Sequence, residues 1–184
     1  MEEALAKDPL SLRRRVAVAA AFHPEASIEE VIATLRDLVA RYPNQEGLLY
    51  TLAGVLARDG QHEESLAALR KMIPLMGDDS FADELDMMGY NFGRLGWADS
   101  ARVVLDRLDA LELEGIFVSP VIRASTHIGL GDLDRAFELY DQAVRDGDSW
   151  LVYLQNSPPA RLLEDPRYDA LLQRLGYSRL TYPR

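Results

Sequence analysis

The chain has 184 residues, and its 20 basic and 30 acidic side chains give a formal charge of −10 and a pI near 4.8. That balance repels duplex nucleic acid and anionic membrane surfaces, since no basic cluster offsets it. At 48% hydrophobic and 27% charged residues it is composed as a folded protein, and with no cysteine it is excluded from disulfide, thiolate-nucleophile and thiolate-metal chemistry.

The amino terminus, Met1 to Pro9, is acidic and lacks the basic start and apolar stretch of a secretory signal. The longest apolar runs, such as Val16 to Phe22, are too short to span a bilayer, so a cytoplasmic protein is expected. A first helix is predicted over Leu10 to Phe22 and a second over Ile28 to Arg41, where Ser27 and Glu30 have the spacing of a capping box and Pro43 closes the unit. Further along, Gly60, Gly96 and Gly131 close similar phrases 36 and 35 residues apart. Before the first two lie amphipathic stretches marked by Leu49, Leu52, Ala53 and Leu56, then by Leu85, Met88, Gly89 and Phe92. After the three glycines come Leu66, Leu69, Met72 and Ile73, then Ala101, Leu105 and Leu108, then Ala136, Tyr140 and Ala143. Spacings of three, four and seven place each set on one helix face. A glycine between two such helices can take the left-handed conformation that reverses the chain, and Asp132 is placed to cap the helix that follows Gly131. Each unit therefore reads as a helix hairpin.

These residues resemble the tetratricopeptide repeat, in which units of about 34 residues are pairs of antiparallel helices. The second unit matches with Leu49, Leu52, Ala53, Leu56, Gly60, Leu69 and Met72, and the third with Leu85, Met88, Gly89, Phe92, Gly96, Ala101, Leu105 and Leu108. The fourth opens at Ser119-Pro120 and matches with Ala124, Gly131, Ala136, Tyr140 and Ala143. Ser65 and Met72 stand where small alanines are usual, and Pro120 and Arg123 replace apolar residues. The resemblance implies an all-α fold, a right-handed superhelical solenoid of antiparallel helix hairpins. Its repeats would cover about 10–44, 45–79, 81–115 and 117–148, with a capping segment at 149–176 and a loosely held tail at 177–184. In the cap, Asp165 and Pro166 start a helix that turns Tyr168, Leu171, Leu172 and Leu175 inward. The run from Leu130 to Phe137, with Ser149 to Leu154 and Leu163 to Leu172, is similar to the tetratricopeptide tails of bacterial adenylate cyclases, winged-helix transcription factors and serine/threonine kinases. That similarity implies the sensory or docking part of a regulator.

No catalytic constellation is legible. His23, His62 and His127 lie in three different units without metal-ligand spacing, and the Gly129-Leu130-Gly131-Asp132 run lacks the strand and third glycine of a phosphate loop. Acid pairs such as Asp106 with Asp109 or Glu63 with Glu64 fall on predicted polar faces, where both carboxylates ionise alike. Asp146-Gly147-Asp148 lacks the further oxygen ligands of a calcium loop. The expectation is a protein that is not an enzyme and holds no cofactor or metal. In the resembling family the first helices of the hairpins line a concave groove, and on that frame the groove carries Arg13, Tyr50, Arg58, Asp83, Asp86, Tyr90, Arg94 and Ser125. Rigid aromatics and arginines suit recognition of a protein or peptide. The alternative is a surface for assembly, chain on chain or domain on domain, with no peptide ligand.

Overall fold

The computed structural model describes residues 27–76, 82–156 and 158–179. Among them all regular structure is helical, with no strand, and no helix is long and apolar enough to cross a membrane. The predicted helix over Leu10 to Phe22 lies outside these residues. The described chain divides into two compact units, residues 27–76 and those from 82 onward.

In the first unit, α1 spans Ile28–Arg41, α2 Glu46–Arg58 and α3 His62–Met72, and a 3-10 turn follows at Ile73–Leu75. The capping box forms as the spacing predicts. The Glu30 N–H donates to Ser27 Oγ at 3.3 Å and the Ser27 N–H to the Glu30 carboxylate at 2.9 Å, pairing two amides that a helix start otherwise leaves open. Ile32 and Leu35 of α1 meet Leu48, Leu52 and Leu56 of α2 in the core. Gly60, at φ +83°, turns the chain, and the Gln61 N–H donates back to the Leu56 carbonyl at 2.9 Å, so α2 and α3 pack as a tight antiparallel pair. The serine that departs from the family pattern has a partner here, because Ser65 Oγ on α3 donates to the buried Ala53 carbonyl at 2.8 Å.

The second unit holds α4 (Ala82–Arg94), α5 (Ala98–Leu113), α6 (Pro120–Leu130) and α7 (Leu133–Asp146). A 3-10 turn at Ser149–Leu151, α8 (Val152–Asn156), a second 3-10 turn at Ala160–Glu164 and α9 (Pro166–Arg174) complete it. The turn closing α2 recurs after α4, α5, α6, α7 and α9, each time with the amide beyond the glycine returning to a carbonyl of the last helical turn. It makes antiparallel pairs of α4 with α5 and of α6 with α7. Helix α5 buries Ala101, Val104, Leu108 and Leu111, while Leu105, expected inward, is half-buried; the stripe runs 3-4-3 and turns slightly toward Val104.

Successive first helices then pack on each other. Gly89 of α4 faces Thr126 of α6, Gly93 faces the backbone of Gly129 and Leu130, and a Cβ on Gly129 would stand 2.9 Å from Tyr90 Cα. Both partners rise together along the sequence, so α4 and α6 run parallel with their backbones nearly touching. Helix α9 likewise runs along α7, tied by Arg167 to Asp134 at 2.7 Å and by Arg174 to Asp141 at 2.5 Å. Its Tyr168, Leu171 and Leu172 are buried as predicted, and Asp165 caps it by accepting from the Arg167 N–H at 2.9 Å. The segment beyond Gly176, expected to be loose, is tied as far as Arg179, whose Nε donates to Asp169 at 2.9 Å and whose guanidinium stands 5.3 Å above the Tyr168 ring.

Candidate functional site

Of the eight residues expected to line a groove, Arg13 and the side chain of Asp83 lie outside the described residues. Tyr50 and Arg58 sit on α2 of the first unit, half-buried and exposed respectively. The other four belong to the second unit. Asp86, Tyr90 and Arg94 follow one another at four-residue intervals along α4 and so share a face, and Ser125 sits on α6, which packs alongside.

This face is not open at its centre. Tyr90 is only 7% exposed, and Ser125 is buried as well. The cover is the chain's own segment between α8 and α9. The backbone N–H of Ala160 bonds the Tyr90 hydroxyl, and Arg161 Nη1 lies so close to Gly131 that a Cβ there would stand 2.6 Å from it. Burial pushes the Tyr90 hydroxyl above its ordinary pKa, opposed by the positive charges of Arg94 and Arg161 and by the Ala160 amide. Deeper in the same unit, Tyr140 of α7 is held well above the ordinary tyrosine value by complete burial, with the Asp86 carboxylate and Tyr168 adding to the effect. The sequence carried little signal for Ala160 and Arg161. They follow Pro158-Pro159 in a stretch without periodicity, where the proline pair marks an extended chain and nothing marks what it lies against.

No protein-family model, no curated protein and no solved structure matches this chain. The candidate sites therefore stand on local geometry alone. Among the described residues no group of His, Asp and Glu side chains is arranged to hold a metal ion. His62 is buried at the start of α3, and His127 Nδ1 lies 3.3 Å from the Asp132 carboxylate. The glycines of Gly129-Leu130-Gly131-Asp132 are absorbed by packing: Gly129 sits on the Tyr90 backbone, Gly131 takes φ +86°, and Asp132 caps α7 by accepting from the Arg135 N–H at 3.2 Å.

On another side of the second unit, Arg123 of α6 explains its departure from an apolar residue. Its side chain, 14% exposed, pairs with Asp109 through Nη1 and with Glu112 at 2.7 Å through Nη2. These groups, with Arg135 and Gln142, line a polar cleft of about 270 Å³. Arg123 is paired with two carboxylates of α5, so the cluster serves to join α5 to α6. Sequence reading also missed the exposed apolar residues around the α5–α6 turn, Leu113 at 90% and Phe117 at 74% exposure.

Proposed function

We propose that this chain is a non-catalytic scaffold of tetratricopeptide-like helix hairpins that binds a protein or peptide, the docking part of a bacterial regulator in the sense its last third resembles. The superhelical arrangement belongs to the same proposal. One observation carries it: α6 lies parallel along α4 at an offset close to the spacing of the turn glycines, which is how one hairpin of a repeat array stacks on the next. The face so formed sets the half-buried Arg94 one turn from the buried Tyr90, a bidentate donor at the edge of a rigid aromatic.

The test is a peptide-array screen with the whole chain, combined with sedimentation over a concentration range. Arg94→Glu should weaken the array's hits about tenfold, equal to roughly 1.4 kcal/mol. Hits indifferent to both Arg94→Glu and Tyr50→Ala would sink the groove reading. A second reading, self-assembly, is favoured by the exposure of Leu113 and Phe117. Association that grows with concentration and is abolished by Phe117→Ser would replace binding by assembly.

A further inference from the structure

The segment that covers Tyr90 has the form of a ligand. Pro159 stands at φ −56° and ψ 137°, the polyproline geometry, and the amide that follows it, that of Ala160, bonds the tyrosine hydroxyl. From Ala160 to Glu164 the chain coils into a 3-10 turn, so the segment is a proline-led turn that meets an aromatic hydroxyl through its first amide. Pro158 and Leu162 are buried, Leu162 completely, and Arg161 reaches across to the turn at Gly131.

The elements on either side are fastened without it. Tyr168 Oη of α9 donates to the Leu154 carbonyl of α8 at 2.6 Å, a buried bond that closes the intervening stretch into a loop with tied ends. Helix α8 is anchored by its buried Leu154 and by Leu151 of the turn before it, and α9 by its ion pairs to Asp134 and Asp141 and by Arg167 standing 4.3 Å above the Phe137 ring. Lifting 158–164 from α4 and α6 breaks none of these contacts. A loop held at both ends and seated by three side chains and one backbone bond has its own opening equilibrium, separate from global unfolding.

We propose that Pro158–Glu164 is a ligand in cis, occupying the α4–α6 face that, on the binding reading above, takes a proline-led turn of another protein. The partner then carries a segment of the same character, prolines followed by an arginine and a leucine, and it binds by exchanging places with the chain's own loop. Affinity is set by that competition. The apparent dissociation constant exceeds the intrinsic one by the reciprocal of the open fraction.

Two measurements test this. Hydrogen exchange on the unaltered chain should show the amides of residues 160–163 exchanging roughly 100-fold faster than those of α6 and α9, by local opening. Exchange of all three in one cooperative event overturns the proposal. A labelled synthetic peptide of residues 158–165 should bind the Arg161→Glu variant of the full chain at least about tenfold more tightly than the unaltered chain, because the loosened loop competes less. Binding equal in both, or absent from both, also overturns it. The two readings fail separately, since array hits that remain sensitive to Arg94→Glu while the loop peptide shows no preference preserve the binding surface and remove only the cis ligand.

Discussion

Helices α2 and α4 occupy the same place in successive hairpins, yet they meet their neighbours in opposite ways. In the first unit α2 offers Leu48, Leu52 and Leu56 to Ile32 and Leu35 of α1, and its Ala53 and Ala57 stand 36 residues before Gly89 and Gly93 of α4. In the second unit the corresponding positions of α4 are Gly89 and Gly93, and α6 comes in until backbone meets backbone. One contact is made of interdigitated side chains and the other of surfaces from which side chains have been removed. A side-chain contact yields when a methyl group is added or lost, by rotamer change and small shifts. A backbone contact has nothing to rotate.

The largest expected effect follows from that. Gly93→Ala places a Cβ against the backbone of Gly129 and Leu130, which cannot move without separating α4 from α6, so a loss of about 3 kcal/mol or more is expected in urea denaturation. The mirror substitution in the first unit, Ala57→Gly, should cost only about 1 kcal/mol, the entropic penalty of glycine in a helix. Equal losses at the two sites would mean that the backbone contact has no special rigidity. Next in size is Gly89→Ala, whose new Cβ meets only the Thr126 side chain. About 2 kcal/mol is expected, mostly restored in the double variant with Thr126→Ala, because that side chain is what the Cβ strikes. Thr126 makes the restoration easier. Its buried hydroxyl finds no hydrogen-bond partner among the described residues, so its removal gives up no bond.

The small residue on the second helix of each hairpin gives a third, smaller contrast. Ser65, Ala101 and Ala136 are all completely buried, but only Ser65 has a hydroxyl, and it uses it on the Ala53 carbonyl. Ser65→Ala should cost about 1 kcal/mol in the same denaturation experiment. A change below a few tenths would assign the serine a packing role only.

The sequence made the hairpins legible because their determinants are local: apolar spacing along one face, glycine at a left-handed turn, Ser27 with Glu30 and Asp132 at helix starts. The site was legible only in part. Asp86, Tyr90 and Arg94 were placed on one face by their spacing, but whether that face is open depends on a contact between α4 and a proline-rich loop some 70 residues further on, which no periodicity encodes. The same holds for Arg123, whose carboxylate partners Asp109 and Glu112 sit on the preceding helix, Asp109 having read as part of a polar face along the chain.

The smallest effect at neutral pH concerns two buried residues that each stand nine positions after a turn glycine, Leu69 on α3 and Tyr140 on α7. Leu69 cannot ionise. Tyr140 can, and its burial, reinforced by the charge of Asp86, keeps its folded pKa well above 10. Below pH 10 both folded and unfolded chains hold the proton and the tyrosine contributes no pH dependence. As pH rises past 10 the unfolded chain releases its proton first, so the folded state loses about 1.4 kcal/mol for each further unit until the folded pKa is reached. The second unit should therefore be the alkaline weak point of the chain. Urea midpoints at pH 8 and pH 11 would check this: Tyr140→Phe should match the unaltered chain within about 1 kcal/mol at pH 8 and exceed it at pH 11. If the variant falls as steeply as the unaltered chain between the two, the alkaline loss comes from another group and the contrast at this position is one of packing alone.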